Sequence, residues 1–320
     1  MRPRSLRALV FTALTATVAV PVMVTGAAGQ APAPVPAYVP ERVYDPARGV
    51  WIDFEVMLAD LARADVVFVG EQHDDPNTHR LELAVLDGVG RRRAGVVLSL
   101  EMFERDVQRD LNRFAAGQIG DEAFLSFVRP WPRYRTDYKP LVDFAIGRRW
   151  PIVAANVPRA LASEVSKTGW AALESRPASE RPWFAAAREC PTDDEYYRRF
   201  AAAMAGHPAD PPAAGATTAA PDERTARYYF AQCLKDETMA ESIARVLDEP
   251  AGGDAPLVVH INGAFHSDFG LGTAERTRRR APGRRVVVVT MLPVADLDTV
   301  TPDDDARQRA DYLVYTLRSK

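Results

Sequence analysis

Short apolar runs alternate with amphipathic stretches along most of this chain. Val66–Gly70 (VVFVG), Gly95–Leu100 (GVVLSL), Pro151–Ala155 (PIVAA) and Leu257–Asn262 (LVVHIN) are rich in β-branched residues and bounded by glycine, proline or polar positions. Runs of that kind predict buried strands. Arg285–Met291 and Tyr312–Leu317 predict a fifth and a sixth. Between them apolar residues recur at helical spacing over Phe54–Arg63, Arg105–Ala116, Asp121–Phe127 and Leu141–Arg149. Asp75-Pro76 is a helix-start signal, and the helix it opens runs to about Arg91, burying Leu81, Val85, Leu86 and Val89. Arg159–Arg181, Asp193–Ala205 and Asp222–Leu247 also read as helical. Strands alternating with helices predict an α/β fold, a largely parallel central sheet flanked by helices. The helix-rich stretch from about 159 to 247 is too long for a simple crossover and predicts a helical insert or cap between the third and fourth core strands.

Composition adds boundaries. With 320 residues and 47% hydrophobic content the chain can bury a sizeable core. A formal charge of −3 excludes a nucleic-acid binder that relies on a broad positive field. Arg2, Arg4 and Arg7 precede the apolar stretch Ala8–Val24 and then small residues, the order of a cleaved signal peptide over residues 1–29. An uncleaved anchor is the alternative, since the stretch is marginally long enough to span a bilayer. No cysteine stands near the cleavage region to carry a lipid, so a periplasmic or secreted location is expected. Residues 30–45 read as a proline-rich tether and 46–320 as a single domain with a mobile loop at 208–221. Cys190 and Cys233 flank that loop and are expected to form a disulfide in an oxidising compartment. The basic run Arg276–Arg285 reads as a solvated turn.

Chemistry gathers at the strand ends. Val66–Gly70 runs into Glu71 and His73, the second strand ends on Glu101, the third on Asn156, and the fourth leads to His266. Parallel strands would bring these residues to one edge of the sheet, where α/β proteins bind ligands. Carboxylate and imidazole together suit a divalent metal such as zinc or manganese at Glu71, His73, Glu101 and His266. The same residues suit metal-free acid–base catalysis, a glutamate orienting a histidine that activates water. The plainer alternative is a set of buried ion pairs, helix caps and satisfied hydrogen bonds. His260, inside the fourth strand, reads as a core histidine, and His207 as exposed. His79, one turn into the first long helix, is near enough to support the site or join it. Pro130–Tyr138 carries Trp131, Tyr134 and Tyr138, an aromatic lid or a hydrophobic latch; such aromatics stack on flat ligands such as porphyrins, and a tyrosinate can ligate haem iron. The chain lacks a dinucleotide fingerprint, a phosphate-binding loop and a GxSxG elbow.

VVFVGEQHDDPNTHRLEL, VVLSLEMFERDVQRDLNRF, PWPRYRTDYKPLVDFA, PIVAANVPR, LKDETMAESIARVL and INGAFHSDFGLG follow one another over about Val66–Met291. Taken in order, they resemble the ChaN-type haem-binding uptake family of the Tiki superfamily. The resemblance implies an α/β fold, an iron-regulated envelope protein that takes up haem, a tyrosine as iron ligand, and pairing of two subunits around stacked haems. Tyr138 is the first candidate for that tyrosine and Tyr134 the second. Peripheral attachment to the envelope would need another device than a lipid-bearing cysteine. Wider relatives, the TIKI metalloproteases and erythromycin esterases, use a Gly-Glu-x-His element, a later glutamate and a later histidine. The matching positions are Gly70, Glu71, His73, Glu101 and His266, which implies a hydrolytic site in residue type. Haem binding, metal-dependent peptide or ester hydrolysis, and an envelope scaffold with a relic site are the three readings carried forward.

Overall fold

The six strands that the apolar runs predict lie parallel to one another in a single eight-stranded sheet. The computed structural model describes residues 38–205, 221–248 and 255–319. In chain order the strands are β1 (Glu41–Asp45), β2 (Val50–Ile52), β3 (Val66–Glu71), β4 (Val96–Glu104), β5 (Ile152–Asn156), β6 (Leu257–Gly263), β7 (Val286–Val294) and β8 (Tyr312–Leu317). They are arranged β2-β1-β8-β7-β3-β6-β4-β5, with β1 antiparallel to both of its neighbours. Glu41–Asp45, expected in the tether, is therefore a strand. It is short and flanked on each side by proline, so the signal for it is β8 pairing rather than local pattern. The signal peptide, the start of the tether, His207 and nearly all of the 208–221 loop lie outside the described residues. No described helix is long and apolar enough to cross a membrane.

Alternation along β3 assigns the two faces of the sheet. Val67 and Val69 pack with Leu98, Val259 and Ile261 beneath the helices Phe54–Leu61, Pro76–Gly90 and Lys139–Arg148, which contribute Leu58, Val85, Leu86 and Leu141. Val66 and Phe68 face the other way, against Ile243 and Leu247 of the helix Pro221–Asp248 and Ala274 of the helix Gly272–Arg280. Each such fully buried aliphatic or aromatic side chain contributes about 1.5–3 kcal/mol. The helix Pro76–Gly90 starts as its sequence predicts. Asp75 caps it by accepting from the Asn77 and Thr78 amides, and Pro76 occupies the first turn, where no amide hydrogen is needed.

The helical insert between β5 and β6 comprises Arg159–Thr168, Ala171–Glu174, Glu195–Ala205 and Pro221–Asp248, with a short 3-10 segment at Ala178–Trp183. Cys190 is bonded to Cys233, tying the segment before Glu195–Ala205 to the long helix. The basic run contains a difference from expectation. Arg276 is not solvated: it is buried, its Nε lies 3.2 Å from Glu237, and Arg279 and Arg280 converge on the same carboxylate. Helical phase places Arg276 inward, four residues after the buried Gly272, so a charged residue takes a core position because Glu237 is buried opposite it.

His260 pairs across the sheet with Phe68 on one side and Ser99 on the other. Its Nδ1 lies 2.8 Å from Ser99 Oγ, and complete burial pushes its pKa down to about 3, so it is a neutral core histidine.

Candidate functional site

β3, β4 and β6 are adjacent, so their carboxyl ends deliver Glu71, Glu101 and the turn that carries His266 to one edge. These three, with His73, line a cleft of about 570 Å³ whose other walls include Trp131, Phe200, Met204, Gln232, Lys235 and Phe265. Four of the five strand-end residues are thus brought to one cleft.

Glu71 is buried, and its side chain organises the near wall. Oε1 contacts His73 Nδ1 and accepts a 2.9 Å hydrogen bond from the Tyr138 hydroxyl; Oε2 lies 2.8 Å from His79 Nδ1. Burial works to raise the Glu71 pKa, but the contacts from His73 and His79 outweigh it and hold the carboxyl at about 2. Burial opposes the charged form of His79 as well, and the Glu71 and Glu82 carboxylates reverse this, raising it to about 11. Glu82 is wholly buried beside them, and desolvation together with the neighbouring Glu71 charge drives its pKa well up.

His73 is half-exposed, with 46% of its side-chain surface open. Its ring stands edge-on to Trp131, centroids 5.0 Å apart, and its carbonyl accepts from Arg133, which also bridges to Asp137. Burial lowers its pKa and the contact with Glu71 raises it further, for a net upward shift. Because Glu71 fixes Nδ1, the ring nitrogen left over is Nε2, which has no hydrogen-bond partner among the described residues. The ring can lie here only because position 263 is glycine: a Cβ there would come within 2.7 Å of Nε2. Gly70 answers a similar need, since a Cβ on it would meet the Ala264 backbone at 3.0 Å.

The far wall is a second ion-pair chain. His266 Nδ1 lies 2.6 Å from Asp236 and its Nε2 3.3 Å from Glu101. Glu101 also accepts from the Gly263 amide at 2.8 Å. Asp236 in turn accepts from Thr273 and Tyr196. Burial disfavours the His266 cation, but Glu101 and Asp236 more than compensate and raise it to about 10. Glu101 is held far below the usual carboxylate range, its burial outweighed by the charges of His266 and His73.

Several expected residues lie elsewhere. Asn156 ends β5 but turns inward: its amide donates to the Glu101 carbonyl and its oxygen accepts from the Val157 amide, closing the irregularity where β4 and β5 lose register. It does not line the cleft. Nor does Tyr138, whose hydroxyl is committed to Glu71, or Tyr134, which packs among Phe103 and Phe124. Burial raises the pKa of both phenols far above 10, so they are neutral. His79 lies behind Glu71, out of the cleft. The four residues proposed as metal ligands do not form the donor cluster either. His266 is engaged by carboxylates at both ring nitrogens, and the group among the described residues that could hold a metal ion is Glu71, His79 and Glu82.

Sequence reasoning missed Asp236, Gln232 and Lys235. All come from the long helix, where Tyr229, Cys233, Asp236, Ala240, Ile243 and Leu247 form one buried stripe. An acid on an otherwise apolar stripe was the available signal for Asp236. A larger hollow of about 860 Å³ runs beside β5, where Arg105 pairs with Glu241 and Gln108 covers the open strand edge through Ile152 and Ala154.

The cleft can take a large, flat, mainly apolar ligand. Trp131, Phe200, Met204 and Phe265 offer apolar surface, His73 Nε2 an unengaged nitrogen donor, and Lys235 positive charge for a peripheral carboxylate. That donor set fits a haem.

Comparison with known proteins agrees with this fold. A structure described as cofacial heme binding to ChaN of Campylobacter jejuni superposes with a TM-score of 0.62 at 15% identity, covering 86% of this chain and 96% of that one. A Bacillus cereus protein aligns at TM-score 0.46 and 11% identity, over 82% and 91% of the two chains. A mutant of the erythromycin esterase EreC in its open conformation aligns at 0.42 and 12%, over 84% and 80%. No curated protein matches the sequence. The model of the family described as haem-binding uptake, Tiki superfamily, ChaN matches residues 57–277, more than half of the sequence, and this chain belongs to that family.

Proposed function

We propose that this protein binds haem in the cleft at the ends of β3, β4 and β6, and that it serves haem or iron uptake outside the cytoplasm after removal of its leader. One observation carries the assignment: the half-exposed His73 ring, fixed by Glu71 through Nδ1, stands with Nε2 unengaged on the wall of an aromatic cleft. When bound, haem would supply an iron able to take a nitrogen donor, and His73 would hold it. The chain supplies the rest. Glu71 orients the imidazole, a carboxylate-to-histidine contact that typically raises ligand basicity. Trp131 and Phe265 line the cleft with aromatic surface, and Lys235 would supply a cation for a carboxylate.

A haem titration followed by the Soret band tests this. Wild-type protein should shift the band at micromolar concentration, and His73→Ala should abolish the shift, whereas Tyr138→Phe and Tyr134→Phe should keep it. Tyr228 stands one helical turn before Gln232 on the helix that lines the cleft, so loss confined to Tyr228→Phe would move the iron ligand to that helix. Sizing the protein with and without haem reports whether two copies pair around the ligand.

A second reading, ester or peptide hydrolysis, draws on the same dyad. Glu71 holds His73 in the arrangement of a general base, and the His266 cation lies on the opposite wall, where it would favour developing negative charge. Turnover of a nitrophenyl ester that disappears in His73→Ala would favour it over pure binding.

A further inference from the structure

Behind His73, away from the cleft, two wholly buried glutamate side chains face one imidazole nitrogen. His79 Nδ1 lies 2.8 Å from Glu71 Oε2 and 3.3 Å from Glu82 Oε2. Donor atoms of the three side chains all fall within 4.8 Å of one another. Glu71 Oε2 and Glu82 Oε1 nonetheless lack a hydrogen-bond partner of acceptable geometry, although both are sealed from solvent. An unmet buried carboxylate oxygen is costly; Glu82 Oε1 is one, and Glu71 Oε2 has only the poorly aligned His79 contact.

The other side of the His79 ring says which way it is turned. Nε2 lies 3.2 Å from the His73 carbonyl and 3.5 Å from Asp137. A carbonyl can only accept, so Nε2 carries a hydrogen, and an ion that displaced the proton on Nδ1 would meet that nitrogen's lone pair beside the two carboxylates. Metal-binding histidines are commonly held this way, one nitrogen donating to a carbonyl or carboxylate and the other left for the ion. One imidazole nitrogen and two carboxylates converging on one dry spot call for positive charge between them, which a divalent cation would supply.

We propose that Glu71, His79 and Glu82 form a buried divalent-cation site, distinct from the cleft and from the Glu101–His266 pair. Two carboxylates and one imidazole suit manganese, iron(II) or zinc. Glu71 links the two places: Oε2 faces the ion while Oε1 keeps its contacts with His73 and Tyr138. An ion there would fix the orientation of the group that positions His73. The site does not depend on haem binding, and its test uses a different readout.

The full chain, stripped with a chelator and dialysed against Mn²⁺ or Zn²⁺, should retain one ion per chain by elemental analysis. Glu82→Gln, which keeps the shape and removes the charge, should bind about tenfold more weakly or worse, while His266→Gln should bind as wild type. Metal addition should raise the melting temperature of wild-type protein and leave that of Glu82→Gln unmoved. Should Glu82→Gln prove poorly folded, wild-type stoichiometry and its metal-dependent melting shift still decide. No ion on the wild-type chain, or an ion kept in Glu82→Gln and lost in His266→Gln, would overturn the proposal.

Discussion

The Tyr138 hydroxyl donates a 2.9 Å hydrogen bond to Oε1 of Glu71, the same oxygen that His73 Nδ1 contacts. Tyr138 therefore acts on the cleft from behind, by fixing a buried carboxylate, and its neutral phenol is turned away from any ligand. Replacing it with phenylalanine removes a hydrogen bond to a charged acceptor, an effect of about 1.5–3 kcal/mol. Urea denaturation of Tyr138→Phe should show that loss, with the Soret maximum of the haem complex unchanged. A variant of wild-type stability that has lost the haem band would instead make Tyr138 a ligand.

His266 should give the protein a stability slope in mild alkali. Its pKa is raised from 6.5 to about 10 in the fold, by Glu101 and Asp236 acting against burial. A raised base contributes fully below its unfolded value and loses that contribution as pH climbs through the folded one. The window is thus pH 6.5 to about 10, with a limiting slope of about 1.4 kcal/mol per pH unit. The stability gap between wild type and His266→Gln, measured by denaturant titration, should narrow across that window. A constant gap would mean that His266 is neutral in the fold.

The proposed haem complex should respond to pH in the other direction. Iron takes the unprotonated ring nitrogen, and the His73 pKa lies above its usual 6.5, burial being outweighed by Glu71 and Glu101. Protons and iron then compete for one nitrogen to higher pH than they would at an ordinary imidazole. Haem affinity should rise from pH 6 to pH 8, and the rise should vanish in His73→Ala. Affinity that is flat over this range would place the iron on a group that does not titrate there.

The parallel strands were legible because each is a short run buried on both faces, a pattern that needs no tertiary information. β1 was not, since it is stabilised by pairing with β8 from the opposite end of the chain. At the site, Glu71, His73, Glu101 and His266 could be placed from strand ends alone. Their partners could not: Asp236 and Lys235 reach the cleft from a helix whose orientation the sequence leaves open. Asn156 shows the limit of the strand-end rule. It stands at an equivalent end, but β4 and β5 lose register between Leu100 and Glu104, and the asparagine is used to satisfy the backbone there. Tyr138 occupies the predicted loop, yet the short helix Tyr134–Asp137 turns its ring inward, which no residue count along the chain reveals.

The bond between Cys190 and Cys233 closes a separation of 43 residues. Constraining an unfolded loop of that length is worth about 2–4 kcal/mol. The double variant Cys190→Ser, Cys233→Ser should therefore unfold at lower urea. The sheet should persist, because its core clusters do not include either cysteine. A loss of all cooperative unfolding would show that the insert and the sheet fold as one unit.

Gly263 separates positioning from folding more cleanly than any ionisable residue. A Cβ at this position would approach His73 Nε2 to 2.7 Å and Cε1 to 2.8 Å, and the group that must yield is a half-exposed ring rather than backbone. In Gly263→Ala the imidazole should swing outward and leave Glu71, while the strand remains paired with β3 and β4. In Gly70→Ala the new methyl meets the Ala264 backbone and Ser267, which cannot move without the turn, and overpacking of this kind costs about 1–3 kcal/mol. Melting curves and haem titrations on both variants should diverge: Gly263→Ala with near-normal melting and weakened haem binding, Gly70→Ala with lowered melting. If Gly263→Ala binds haem as tightly as wild type, the orientation that Glu71 imposes on His73 is not what the ligand uses, and the hydrolytic reading of the dyad gains ground.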